Sequence, residues 1–463
     1  MAFQPLPTSI TLIQTEFVPP ERLPGSFRDP AGHLFVAEGV LYRRIEPAGA
    51  EAYRTLMQSG LYGALVAEGD LLPHDEMTPD VIRPERIPMI SYPYEWCFSQ
   101  LRDAALLTLR VQRRAMTFGM SLKDASAYNV QFRGGSPVLI DTLSFEPRRP
   151  GPWLAYRQFC QHFYAPLLLW SLTDARLARL AQVFIDGVPL DLASRLLPKR
   201  SYLRAGPLLH VHLHAAASAR LSRREHTRSA GTGSQRGIEG LLGSLERAVQ
   251  STSWSRRSDW TTYYAEERSY DAESASRKVE LVGGWIAELR PARVWDLGAN
   301  TGRFSTIAAR HAALVVAFDA DPACVETMYR QARAERLSLV PLVNDLAAPS
   351  PAIGWANEER MTLEDRGPAD LVLALALVHH LAIGNNVPLP AIATYLARLA
   401  RHVIVEFVPK SDPMVQQMLA RRPDVFADYT IEQFERSCEA HFTIERRQAV
   451  GPSGRVLFLM TKR

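Results

Sequence analysis

The sequence predicts an α/β protein whose C-terminal half is a parallel sheet closed by an antiparallel hairpin. Three observations lead there. From "ARVWDLG" onward, short apolar runs ("ALVVAFDA", "LVPLVND", "ADLVLALALV", "HVIVEFV") alternate with helical stretches such as "DPACVETMYRQARAERL", the pattern of βαβ units. The last two strand patterns, "HFTIERRQAV" and "RVLFLMTK", are joined by the turn "GPSG". A polar stretch rich in Gly and Ser, "ARLSRREHTRSAGTGSQR" at 219–236, sets this half apart from another unit before it. The expected division is a first domain over 1–218, a linker over 219–258 and a second domain over 259–463. Thr430 and Gln433 have capping-box spacing for a helix "IEQFERSCEAH" just before the hairpin.

Bulk properties fit two ordinary globular domains: 463 residues, 47% apolar and 22% charged. A formal charge of +4, from 53 basic against 49 acidic residues, is small and dispersed, which argues against nucleic acid as a partner. Only five basic residues are lysines, at 123, 199, 278, 410 and 462. Cys97, Cys160, Cys324 and Cys438 are widely spaced and form no CxxC pair, so reduced thiols are expected. The first twenty residues lack a basic stretch followed by an apolar one, and no apolar run reaches the roughly 20 residues of a membrane span, so a cytoplasmic protein is expected. His210, His212 and His214 fall two apart, a spacing that does not align metal ligands on one helix face; a packed or solvated linker segment is expected there.

"VWDLGANTGRFS" carries the chemistry of the second half. A strand ends in Asp296, and Gly298, Asn300 and Gly302 follow at alternate positions before a helix, so a ligand can lie against backbone at a helix N-terminus. The next strand ends in Asp319, an acid placed to accept hydrogen bonds from both hydroxyls of a ribose. Together these resemble the class I S-adenosylmethionine-dependent methyltransferases over about residues 260–463. The resemblance implies a Rossmann-like seven-stranded sheet with an antiparallel terminal hairpin. It also implies S-adenosyl-L-methionine as cofactor, held by Asp296, Gly298, Asn300, Gly302 and Asp319, with Asp345 in "VNDLAAP" near the adenine. GxGxxG, the usual dehydrogenase signature, is missing, as is an "NPPY" stretch of the kind used for amide nitrogen. Methyl transfer to a positioned nucleophile needs a base only where the acceptor is a weak one; His379, His380 and Glu406, at the carboxyl edge of the sheet, are the candidates, each also readable as a packing residue. Trp260, Tyr263, Tyr264 and Tyr270 form either a cap over the site or plain core. A further resemblance, to bacterial nodulation-associated methyltransferases, implies a small-molecule or glycan-type acceptor, although no single residue carries it.

In the first half, "KDASAYNVQFRGGSPVLIDT" places Asp124, Asn129 and Asp141 at the spacing phosphoryl transfer requires: one acid to orient a hydroxyl, an Asn and a second acid to hold Mg²⁺. The segment resembles the catalytic stretch of protein-kinase-like folds, nearest to choline kinase and aminoglycoside phosphotransferase relatives, which implies an α+β bilobal domain with "ISYPYEW" (90–96) as its hinge. It departs from them in several places. No Lys occurs in residues 1–122, leaving Arg43 or Arg44, with Glu51 as ion-pair partner, to replace the usual strand lysine; no GxGxxG occurs, Leu122 stands for the usual His, and no Gly follows Asp141. The expectation is a degenerate kinase-like module, a pseudokinase, serving substrate recognition or regulation. The alternative is a bifunctional enzyme in which Asn129 and Asp141 hold Mg and ATP is consumed, and the remaining one a scaffold of two spent domains.

Overall fold

The computed structural model describes residues 21–221, 235–255, 272–420 and 422–463. The aromatic group at 260–270 lies outside the described residues, as does most of the polar stretch at 219–236.

The C-terminal sheet is built from β10 (Arg293–Leu297), β11 (Leu314–Asp319), β12 (Leu339–Val343), β13 (Ala369–Ala374), β14 (Ala400–Phe407), β15 (Phe442–Ala449) and β16 (Val456–Lys462). Its seven strands run β12-β11-β10-β13-β14-β16-β15, parallel from β12 to β14, with β16 antiparallel to both β14 and β15. The Rossmann-like sheet and terminal hairpin expected from the sequence are thus present. The parallel strands are near-continuous apolar runs because helices cover both faces: Val315 to Phe318 and Leu371 to Ala374 are buried without a break. β15, at the edge, alternates instead ("FTIERRQA"), and its charges guard an open row of backbone groups. The helix Ile431–Glu439 begins as its spacing predicts, with Thr430 Oγ1 accepting from Gln433 N. From the central β10 the chain first runs outward through β11 to β12, then returns to β13 on the other side. The strand order therefore reverses between β10 and β13, where open α/β sheets leave a crevice beyond their carboxyl ends.

The N-terminal half opens with a five-stranded antiparallel sheet of β1 (Glu21–Arg22), β2 (Gly32–Ala37), β3 (Val40–Ile45), β4 (His74–Thr78) and β5 (Val81–Pro84), in the order β1-β2-β3-β5-β4. Helices α1 (Pro47–Ser59) and α2 (Leu61–Glu68) interrupt it between β3 and β4. A loop through residues 85–97 leads to the 20-residue helix α3 (Phe98–Thr117), largely buried. Next come the pair β6 (Met120–Leu122) and β9 (Phe145–Pro147), with the hairpin β7 (Val130–Arg133) and β8 (Ser136–Leu139) between them, turning on Gly134 and Gly135 at positive φ. Short helices fill residues 156–221.

The linker expected over 219–258 is corrected in its second part. Gln235–Gln250 is a helix burying Ile238, Leu242, Leu245 and Val249, a spacing of three and four that places them on one stripe facing the core shared with α3. The histidine tract is packed helix. His210 is hydrogen-bonded to Tyr156 Oη (2.9 Å) and Ser244 Oγ (3.0 Å), and His212 to Ser194 Oγ (2.7 Å) and Ser201 Oγ (2.8 Å), so neither ring has a nitrogen left for a metal. The four cysteines are free and buried. No described helix is long and apolar enough to cross a membrane.

One apolar core runs through both halves, with Phe132 of β7 packed edge-on against Tyr329 of the helix Pro322–Glu335. Buried polar bonds cross the same boundary. Ser99 N donates to Glu326 (2.9 Å), Gln100 Nε2 to Pro341 O (3.1 Å), and Tyr329 Oη to Asp103 (2.9 Å), which also pairs with Arg333. Glu95 and Arg366 form a bidentate pair at 2.6 and 2.8 Å with both side chains about 1% exposed.

Candidate functional site

Asp296, Gly298, Asn300, Gly302, Asp319 and Asp345 all come to the carboxyl ends of β10, β11 and β12. Asp296 is buried, accepts from Ser305 Oγ (2.6 Å) and is pushed up to about 6 by burial. The loop after it is tied to β11: Gly298 N and Ala299 N both donate to Phe318 O at 2.9 Å. Gly298 has φ +72° and lies under Leu377, whose Cδ1 would be 3.2 Å from a Cβ placed there. Asn300, also at positive φ, donates its backbone N–H to Asp319 Oδ2 (2.7 Å), while Asp321 N donates to Oδ1 (2.8 Å). Burial raises Asp319 to about 6 despite these two donors. Each carboxylate oxygen accepts one backbone bond and retains a lone pair for a further donor. Asp345 turns back on its own loop through Ala347 N (3.0 Å), and its neighbour Asn344 is buried, donating to Ser350 Oγ (3.0 Å). The crevice between β10 and β13 is apolar and narrow, a cavity of about 10 Å³ lined by Leu297, Leu346, Ala374, Leu377, Leu381 and Tyr395 among others.

The base candidates fall on the opposite side of the switch point. His379 is buried, its Nδ1 has no partner among the described residues, and its ring lies 4.2 Å from that of His380. Burial first, then the charges of His380, Arg455 and Lys278, hold it well below the usual imidazole range, so it is neutral. Burial also lowers His380. Glu406 ends β14 fully buried and accepts from Lys278 Nζ at 2.6 Å; Arg455 lies 3.5 Å away and itself binds Asp412 at 2.8 Å. Two cations thus alternate with two carboxylates out of solvent, an arrangement that fixes geometry more than it stabilises. Lys278, Arg455 and Asp412 went unnoticed in the sequence. The signal for Lys278 was there: it is one of five lysines, four residues before Val282 on the buried stripe of its helix.

In the N-terminal half, Asp124, Asn129 and Asp141 also converge. Asp124 accepts from Gln158 Nε2 (2.7 Å) and Ser126 N (2.9 Å), and is raised by burial and then by the charge of Asp141; Asn129 also hydrogen-bonds it. Asp141 accepts from Leu143 N (2.9 Å) and Ser144 Oγ (2.5 Å). Its remaining partner is Arg43, 2.6 Å away, whose other nitrogen binds Asp29 at 2.6 Å. The ion pair expected between Glu51 and Arg43 or Arg44 does not form: Arg43 takes the two aspartates, Arg44 pairs with Asp80, and Glu51 is exposed. Magnesium held by Asn129 and Asp141 does not fit this donor set, because a guanidinium already neutralises the acid. No group of three or more His, Cys, Asp or Glu among the described residues could hold a metal ion.

No family model matches the chain. It is 35% identical over 460 residues to nodulation protein NoeA of Rhizobium meliloti (strain 1021), covering 95% of this chain and 96% of the relative. The chain belongs to the NoeA family. Solved structures similar to this NoeA-family chain include magnesium protoporphyrin IX methyltransferase (ChlM) from Synechocystis PCC 6803 with bound SAH, at 19% identity and TM-score 0.31 over 41% of this chain and 84% of that one. The N-methyltransferase NodS from Bradyrhizobium japonicum WM9 matches at 11% identity and TM-score 0.30 over 42% of this chain and 98% of that one. WbdD matches at 18% identity and TM-score 0.30 over 43% and 42%. At such scores the strand order and the loop geometry, not these likenesses, describe the sheet.

Proposed function

We propose that this NoeA-family chain is an S-adenosylmethionine-dependent methyltransferase acting on a small-molecule or glycan-type acceptor. The observation that carries the proposal is the join between Asp319 and the glycine loop: an acid with free lone pairs, held by Asn300 N at the reversal of the strand order. The residues fit the cofactor. Gly298 and Gly302 let the loop take positive φ against Leu377 and Met328, Asp319 keeps lone pairs for ribose hydroxyls, and Asp345 follows β12, where the resemblance puts the adenine. When bound, the sulfonium supplies a methyl group already activated by its own positive charge. What remains for the protein is positioning and exclusion of water, the task of Leu377 and the apolar crevice around it. His379, neutral and with Nδ1 without a partner among the described residues, is held too far below the usual imidazole range to be an effective base and is left as a hydrogen-bond acceptor toward a hydroxyl or amine, while Glu406 is occupied by Lys278 and acts by holding the wall. The N-terminal half is read as a degenerate kinase-like module for recognition or regulation. Its strand order, with a helix pair between the third and fourth strands, supports the kinase-like shape alone, and no specific observation favours a live phosphotransferase.

Calorimetry of the full chain with S-adenosylhomocysteine tests the reading. Micromolar binding is expected for the wild type, and at least about 100-fold weaker binding for Asp319→Ala, through loss of hydrogen bonds to a charged acceptor. A wild type that does not bind the compound ends the proposal.

A further inference from the structure

The segment 353–361, between β12 and β13 of the C-terminal half, reaches into the N-terminal half and touches three of its elements at once. Arg28, in the turn between β1 and β2, binds Glu359 Oε1 at 2.7 and 2.9 Å, and Arg360 Nη1 donates to Gly25 O of the same turn (3.4 Å). In the loop before α3, Tyr92 Oη accepts from Met361 N (2.8 Å). On the loop from Asp124 to Asn129, the ring of Tyr128 lies 4.4 Å beneath the Arg360 guanidinium. The segment is a closed loop in its own right, Ile353 and Arg360 exchanging backbone bonds at 3.1 and 3.3 Å, and Glu359, buried, caps Trp355 N.

We infer that the cleft bounded by the β1–β2 turn, the loop at 90–95 and the Asp124–Asn129 loop is a receptor for this chain's own segment 353–361 and is closed to nucleotides. These are the three walls between which a kinase-like fold would hold a nucleoside triphosphate, and one segment bonds to all of them. Charge agrees. Arg28, a cation of the cleft, is taken by Glu359 of the segment and Arg43 by Asp29 and Asp141, so neither guanidinium is left for a polyanion. Seating the segment also anchors the stretch after β12. Ser350 donates to Glu95, and Arg366, at the far end of the same excursion, is clamped by it. In this way the N-terminal half sets the position of the loop bearing Asn344 and Asp345. That last consequence rests on the methyltransferase reading; the docking itself does not.

The test uses the full chain, Arg28→Ala and Tyr92→Phe. Hydrogen–deuterium exchange over 353–361 is expected to speed up at least about 5-fold in each variant and to extend to 344–350. Millimolar Mg·ATP is expected to leave the wild-type melting temperature unchanged, since a ligand that does not bind the folded state cannot stabilise it. A rise in that temperature with Mg·ATP, or exchange over 353–361 that neither variant alters, overturns the inference. S-adenosylhomocysteine affinity is read in parallel, with about 3- to 10-fold weakening expected in the variants. A wild type that ignores the compound strikes the methyltransferase reading while the exchange result still decides the docking.

Discussion

Glu95→Gln removes one charge from the most fully buried ion pair between the halves. Glu95 accepts two bonds from Arg366 at 2.6 and 2.8 Å, one from Tyr92 N at 3.0 Å and one from Ser350 Oγ, and it is 0% exposed. The amide can keep one or two of these bonds, but it leaves the Arg366 guanidinium buried without a counter-charge. Removing one partner of such a pair costs about 3–5 kcal/mol. At about 2.1 cal/mol/K of unfolding entropy per residue, that loss over a chain of 463 residues lowers the melting temperature by roughly 3–5 °C. Because one apolar core runs through both halves, calorimetry should show the whole transition moving rather than a split into two peaks. Arg366→Met alone should cost a similar amount. In the double variant Glu95→Gln/Arg366→Met no unpaired charge remains, so its loss should fall well below the sum of the two singles, a coupling of at least about 2 kcal/mol. A Glu95→Gln protein melting within about 1 °C of wild type, or a double variant whose loss equals that sum, would refute the view that this pair joins the halves.

Two further outcomes follow from the loop proposed to hold the cofactor. Gly298→Ala forces a side chain onto φ +72° and against Leu377, so a stability loss of about 1–2 kcal/mol by urea titration and loss of S-adenosylhomocysteine binding are expected; unchanged affinity would show that no ligand approaches this backbone. The carboxyl of Asp319 is raised to about 6 against 3.8 unfolded, so the fold favours the protonated acid; any stability this gives is largest below pH 3.8 and is lost as pH rises through 6. Ribose hydroxyls need the ionised form, so affinity should be flat above about pH 6 and fall up to about tenfold per unit beneath it, with Asp319→Asn weak throughout and its remaining slope that of Asp296, also raised to about 6; a wild-type dissociation constant flat down to pH 5 contradicts the assignment.

Legibility in the sequence followed the reach of the interactions involved. The C-terminal sheet could be read because parallel strands buried on both faces advertise themselves as apolar runs, and because Asp296, Gly298 and Asn300 act within a few residues of one another. Thr430 announced its helix for the same local reason. The helix Gln235–Gln250 was missed although its buried positions follow a plain stripe, because the adjoining polar stretch suggested solvent. Long-range pairing was invisible. Nothing near Glu406 in sequence points to Lys278, 128 residues away, and nothing near Glu95 points to Arg366, 271 residues away. Glu51 looked like the partner of Arg43 from its place on the next helix. Asp141, with Asp29, wins instead because β3 and the β8 end face each other across the cleft.

The two halves therefore cannot be understood as independent modules on a tether. Asn344, immediately before Asp345, lies within 3.5 Å of Glu95, and Ser350 bonds both of them, so the adenine end of the proposed crevice is built partly from the loop that precedes α3. The helix Pro322–Glu335 begins directly after β11 and meets α3 through Glu326, Tyr329 and Arg333. A shift of α3 would then be felt at Asp319 and Asp321 by way of rigid helix rather than flexible chain. Methyl transfer demands that acceptor and donor be held within a fraction of an ångström, and a second packed half is one means of holding the loops of an open sheet still. On that view the aspartates of the N-terminal half serve structure: Asp141 and Asp29 pin Arg43 between them, and Asp124 holds Gln158, which in turn fixes Ala125 N.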